Sequence, residues 1–244
     1  MALAVRQVKV AVRVSGALST NNTFASAVLS GSLLVAHTSM WNGGGTGESV
    51  LTDNVNGAWG TAATTGYFSA SGSDSELQLN AFPNSGAGTI TVTSNPPGSS
   101  ADIDLTLMEV TDVTTSAPRD KTQISATSTI QTTGTLAQAD EILIHSFSHE
   151  GGTTALVGDT ADAFTQADEN ESNSTGQAFH LQYKIVAATT SVTVNGTVGG
   201  GPGGFSGLAS YKAGAPAGGK VTKNTRAFPL GIQAGYPRRQ GLVR

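Results

Sequence analysis

Apolar and polar residues alternate in short runs along almost the whole chain, and the runs come in two sets. Leu33-Leu34-Val35-Ala36-His37-Thr38-Ser39 is an apolar run that leads into Gly43-Gly44-Gly45. About a hundred residues later, Ile142-Leu143-Ile144-His145-Ser146-Phe147-Ser148 repeats the design and leads into Gly151-Gly152. Each predicts a strand followed by a glycine hinge. Val8, Val10, Val12 and Val14 alternate with Gln7, Lys9, Ala11 and Arg13, which predicts a strand with one basic face. Val50-Leu51-Thr52-Asp53 approaches Asn56-Gly57, the strongest short hairpin signal. Leu77 and Leu79, then Ile90 and Val92, then Ile103, Leu105 and Leu107 continue the alternation to residue 107.

The second half lays over the first in the same order. Leu51-Thr52-Asp53…Trp59 matches Leu156-Val157-Gly158-Asp159…Phe164, and Glu76–Asn80 matches Ala178–Gln182. Thr89–Thr93 matches Ser191–Asn195, and Leu105–Met108 matches Leu208–Tyr211. Four ordered matches predict an internal duplication. The expected fold is all-β: two tandem antiparallel β-sandwich domains, jelly-roll or immunoglobulin-like, with an extended C-terminal tail. The expected boundaries are 1–113 for the first repeat with its N-terminal strand, 114–123 for a Pro118-containing linker, 124–211 for the second repeat, and 212–244 for the tail.

Composition agrees with that class. Charged residues are 12% of the chain, about half the usual share, and small turn-forming residues fill the difference. Without cysteine there is neither a disulfide framework nor a thiolate metal site. The start, Met1-Ala2-Leu3-Ala4-Val5-Arg6, has no long apolar core, and no run approaches the roughly 20 residues of a spanning helix, so a soluble, unsecreted chain with no membrane contact is expected. The net charge of −4 hides an asymmetry. All 17 acidic residues lie between Glu48 and Glu171, whereas seven basic residues and no acid lie between Lys212 and Arg244. An acidic body with a basic arm favours acidic protein surfaces, further copies of the chain among them.

Catalytic signals are weak. His145 and His149 have the spacing of a helical metal pair, but on a strand they would stand roughly 13 Å apart, too far to share an ion. Asp53-Asn54-Val55-Asn56-Gly57 is better read as a hairpin turn than as a calcium loop, since Val55 offers no oxygen where one is needed. Asp168-Glu169-Asn170-Glu171 reads as a solvated acidic loop, and Asp74 with Glu76 as an exposed pair rather than a glycosidase dyad. The glycines of 199–204 precede no helix and make no phosphate cradle. No nucleophile motif is present, so no catalytic residue, cofactor or metal is expected. Trp41, beside the glycine run, is the one candidate for stacking on a sugar ring, whereas Trp59 reads as core. The tail interleaves Arg226, Arg238, Arg239 and Arg244 with Phe228, Leu230, Ile232, Tyr236, Leu242 and Val243. Charges separated by apolar anchors predict docking on a protein surface, and seven charges spread so thinly do not predict nucleic-acid binding.

The order Gly31-Ser32-Leu33-Leu34-Val35, then Leu51-Thr52-Asp53…Gly57-Ala58-Trp59, then Thr89-Ile90-Thr91-Val92 and Leu105-Thr106-Leu107 resembles a β-sandwich module of tailed-bacteriophage structural proteins. Ser32 stands where that pattern has Asp, and Asp162-Ala163-Phe164 where its second copy would have a Gly turn. The resemblance covers roughly residues 15–112 and 124–212 and carries over no catalytic residue. It implies a non-enzymatic virion protein, made in the host bacterial cytoplasm, with other virion proteins and copies of itself as partners. Capsid decoration comes first, a tail or fibre component second, and a carbohydrate-binding receptor module third.

Overall fold

The computed structural model describes residues 2–41, 48–60, 68–71, 75–96, 101–150, 155–170, 177–199 and 204–214. Every regular element among them is a β-strand, and every ladder is antiparallel.

Two five-stranded sheets form the middle of the molecule. One has the order β1 (Ala4–Ala17), β9 (Ala101–Thr111), β3 (Leu33–Trp41), β7 (Ser75–Phe82), β6 (Phe68–Ser71). The other runs β10 (Arg119–Ser125), β18 (Phe205–Lys212), β12 (Glu141–Glu150), β15 (Gln177–Val186), β14 (Thr165–Asn170). Outside the first lies a four-stranded sheet, β2 (Thr20–Thr23), β8 (Thr91–Asn95), β4 (Val50–Asp53), β5 (Gly57–Ala58). Outside the second lie two ribbons, β11 (Gln131–Thr132) with β16 (Thr193–Val194), and β13 (Leu156–Val157) with β17 (Thr197–Val198).

The layers enclose three main cores. Phe24, Leu34, Leu51, Trp59, Ile90, Val92, Leu105 and Leu107 fill the space between the first pair of sheets. Leu136, Leu143, Phe164, Val194 and Leu208 do the same on the far side. The largest core, however, is shared. Leu33, Val35, Leu77, Leu79, Met108 and Val110 from one five-stranded sheet pack against Ile142, Ile144, Phe179, Leu181, Ala209 and Tyr211 from the other. Alternation sends odd residues of β3 into this seam and even ones into the outer core. β3 and β12 are therefore buried on both faces, which is why they read as near-continuous apolar runs.

Contacts across the seam are reciprocal. β1 lies against β14 and β6 against β10; β3 lies against β15 and β7 against β12. With the sheet orders above, these four contacts match in pairs with the halves exchanged, whereas β6 also lies against β18. His37 and Ser146 occupy corresponding places on β3 and β12, and they hydrogen-bond to each other at 2.9 Å.

Corresponding hydrogen bonds recur in both halves. Thr23 and Thr91 join their hydroxyls across β2 and β8 at 2.8 Å, and Thr132 and Thr193 do so across β11 and β16 at 3.0 Å. Asn22 donates from β2 to the Leu105 carbonyl on β9, and Gln131 donates from β11 to Ser206 on β18. A third pair is exchanged. In one half Ser32, ahead of β3, donates to Glu109 on β9 at 2.9 Å. In the other Ser210, on β18, donates to Glu141 at the head of β12 at 2.8 Å.

Several expectations change. The stretch expected as a linker contains β10, which begins at Arg119 directly after Pro118, where a fixed φ suits a strand start. Lys212 ends β18, Ala213 bridges Val113, and the Gly214 amide donates to the Asp112 carbonyl at 2.6 Å, so the folded body runs past the expected boundary at 211. The pairings Val35–Met108 and Ile144–Ala209 place Leu107 opposite the counterpart of Leu208's partner, two residues from the sequence match. An even slip keeps every side chain on its face, so alternation alone cannot detect it. The valines of β1 do not share one face either. Register breaks between Val5 and Gln7, Lys9 and Val12, and Val14 and Ala17 mark bulges. As a result Val5, Val8 and Ala11 meet the shared core while Val10 is 57% exposed.

Candidate functional site

The turn after β4 forms as expected, with Gly57 at φ +81°. Asp53 organises it: one carboxylate oxygen accepts the amides of Val55 and Asn56, and the other accepts Asn56 Nδ2 and, at 2.7 Å, Trp59 Nε1. The carboxylate is thus saturated by protein donors, as a hairpin cap rather than a cation ligand. Asp53→Ala is expected to cost about 2 kcal/mol, because it strands several donors, one of them on a buried indole. Chemical denaturation followed by tryptophan emission measures it, with a red-shifted folded spectrum as the local sign.

The histidines are enclosed. His37 sits in the seam with its ring 4.9 Å from that of Phe179. The Ser146 hydroxyl donates to the His180 carbonyl, so its oxygen accepts from His37 Nε2, leaving Nδ1 as a bare lone pair in the core. Burial holds His37 down at about 3. His145 lies on the outer face of β12. Its Nδ1 accepts from Gln182 Nε2 at 3.0 Å, and Gln182 Oε1 accepts the Asp159 amide. Burial, then the neighbouring His180, lower His145 to about 3 as well. Phe147 stacks between His145 and His180 at 5.5 and 5.2 Å. His145 and His149 share a strand face with Phe147 between them, and no group of three or more potential metal ligands occurs among the described residues.

This cluster also bends the outer layer. A Cβ on Gly196 would stand 2.6 Å from the Phe147 ring. Asn195 gives its amide to Asp159 at 2.8 Å instead of to a ladder. The counterpart of the continuous β8 is therefore broken into β16 and β17.

Of the acidic run expected as a solvated loop, Asp168, exposed Glu169 and Asn170 lie on a strand, β14, and Glu171 lies outside the described residues. Asp168 reaches across the seam to accept the Ala11 amide at 2.7 Å and the Thr106 hydroxyl. Asp104, facing it from β9, accepts Arg13 and Asn170 at 3.2 Å each, and burial raises its pKa despite Arg13. Glu109 is buried, yet the Leu29 amide, Gln7, Ser32 and Arg6 hold its carboxylate low against that burial. Glu76 is buried on β7, and Asp74 lies outside the described residues. These carboxylates join strands and sheets to one another.

Trp41 ends β3, partly exposed, paired with Asp102 on β9 and Ser75 on β7. The glycine run beside it lies outside the described residues, as do residues 200–203 and the whole docking set Arg226, Phe228, Leu230, Ile232, Tyr236, Arg238, Arg239, Leu242 and Arg244. The structure does place the root of that arm. Gly214 lines a cleft of about 510 Å³ with Leu3, Thr114, Asp140, Ile185 and Lys212. A second cleft of about 350 Å³, lined by Arg6, Leu29, Asp112 and Val113, opens beside the same crossing of strand ends.

No family model, curated protein or solved structure matches the chain.

Proposed function

We propose that the protein is a non-enzymatic structural component of a bacteriophage virion, built from two copies of one β-sandwich module. Capsid decoration is the favoured place, and attachment through the basic segment that follows Gly214 the favoured means. The observation that carries this reading is the set of corresponding bonds in the two halves: Thr23–Thr91 with Thr132–Thr193, Asn22 with Gln131, and the exchanged Ser–Glu pairs. A module repeated down to single hydroxyl pairs, with its histidines enclosed and Asp53, Asp104, Glu109 and Asp168 engaged in bonds between or within strands, supports a scaffold role. The phage resemblance in the strand motifs supports the virion setting. The basic segment against an acidic body supports docking on protein surfaces, other virion proteins and further copies of this chain included.

Removing residues 215–244 is expected to leave thermal unfolding unchanged and to abolish co-sedimentation with the assembled particle. Moderate salt is expected to weaken attachment of the full chain only in part, because apolar anchors share the contact. Retained attachment of the truncated protein refutes the docking role. A receptor-binding module with Trp41 as its sugar platform is the second reading, favoured by the partly exposed ring at the end of β3. Such a module keeps its glycan binding when residues 215–244 are removed, so the same truncation separates the two.

A further inference from the structure

Eight strands make up the two outer layers, and together they carry one charged residue, Asp53, which points inward to Trp59. On the first outer face Asn21, Thr93 and Thr52 lie in register across β2, β8 and β4, with Thr23 beside Thr91 and Val50 beside Asn95. Val50 is 60% exposed. On the second, Thr132 lies beside Thr193 and Val157 beside Thr197. Val157, and Ile130 just ahead of β11, are 53% and 52% exposed. The hydroxyl pairs Thr23–Thr91 and Thr132–Thr193 hold both faces as short-chained, neutral ladders. Charge lies elsewhere, on the inner strands and at the strand ends: Arg6, Lys9 and Arg13 on β1, Arg119, Asp120 and Lys121 on β10, Asp168 and Glu169 on β14.

Depletion of charge together with exposed aliphatics is the composition of a protein–protein contact centre, and unlike that of an open surface. A neutral face offers nothing to phosphates or to an anionic membrane. Between copies it is a favoured meeting place, because there the repulsion between bodies of net acidic charge is weakest. The reciprocal seam directs the two faces to opposite sides of one molecule, so each copy presents the same chemistry twice. The seam itself already packs one half on the other, sheet against sheet.

We propose that the outer faces centred on Thr93–Val50 and on Thr193–Val157 are self-association surfaces, through which copies of this chain stack sheet to sheet. This goes beyond the virion reading and stands whether or not the basic segment docks.

Sedimentation velocity of the full chain over a wide concentration range, at low and at high salt, tests it. The wild type is expected to associate, and more strongly at high salt, where repulsion between acidic bodies is screened. Val50→Lys alone is expected to stop assembly at pairs joined by the second face. Val50→Lys with Val157→Lys is expected to weaken association by more than about tenfold with thermal unfolding unchanged, since a lysine facing a lysine across a neutral contact is strongly disfavoured. A wild type that stays monomeric overturns the proposal, as does a double variant that assembles like the wild type. Association that salt weakens overturns it too, since that sign belongs to the basic segment on an acidic surface.

Discussion

Acidification from pH 7 to about 4.5 should remove on the order of 5 kcal/mol of stability, and His37 and His145 are the cause. Both titrate at about 3 in the folded protein, against 6.5 when exposed. Between those values the unfolded chain binds a proton at each site that the folded chain refuses. The unfolded state therefore holds more protons, and stability falls as pH falls, by about 1.4 kcal/mol per unit for each histidine once the pH is well below 6.5. A domain of this size has roughly 5 to 15 kcal/mol in hand, so the loss is a large share of it. The local chemistry explains the refusal. A proton on His37 Nδ1 would have no acceptor, and one on His145 Nδ1 would face the Gln182 amide donor. Glu109 and Asp159, both held low, lose their contribution only at still lower pH, whereas Asp104 and Glu141, both raised, oppose the trend. Denaturant midpoints measured from pH 7 down to 4.5 test this. His37→Gln, which keeps a donor for Ser146, should roughly halve the slope. An unchanged slope in that variant would remove His37 from the account.

Phe179→Ala should cost about 3 to 5 kcal/mol and should do so without splitting the unfolding transition. Phe179 is fully buried in the seam against His37, and its removal leaves a cavity between two sheets whose backbones are held by ladders on both sides. Because the largest core belongs to both halves, damage on β15 reaches β3 directly. Calorimetry should show one transition with matching calorimetric and van't Hoff enthalpies, in wild type and variant alike. Two separable transitions, only one of them moved by the substitution, would mean that the halves unfold as independent domains.

The strands were legible in the sequence because alternation is a strong signal. The Asn56-Gly57 turn and buried Trp59 were legible for the same local reasons. The seam was not. His37, Thr38 and Ser39 are the polar end of the apolar run, and all three are buried because β3 has protein on both sides; bonds such as His37–Ser146 are visible only across the fold. β10 was hidden by its short length and its Asp120-Lys121 pair, which read as linker. The bulges of β1 were invisible because a regular valine alternation carries no mark of an inserted residue. The outer faces did leave a trace. Thr20-Asn21-Asn22-Thr23, Thr91–Asn95 and Thr193-Val194 contain no charge, in a chain whose surface has few charges to spare and places them elsewhere.

The exchanged pair, Ser32 with Glu109 and Glu141 with Ser210, has a historical consequence. If both halves descend from one ancestral module, the carboxylate has crossed from one strand to its neighbour in one lineage. A direct crossing passes through either two glutamates in one dry niche or two serines. Two glutamates bring like charges together where water cannot screen them. Two serines are gentler, but in the first half they would leave the Leu29 amide, Gln7 and Arg6 short of an acceptor. Those three donors gather around Glu109, whereas Glu141 takes hydrogen bonds from Ser210 and the Gln138 amide and has the Asp120 carboxyl beside it. The half with fewer donors is the one in which the carboxylate could have moved, so the arrangement around Glu109 is the better guide to the ancestor.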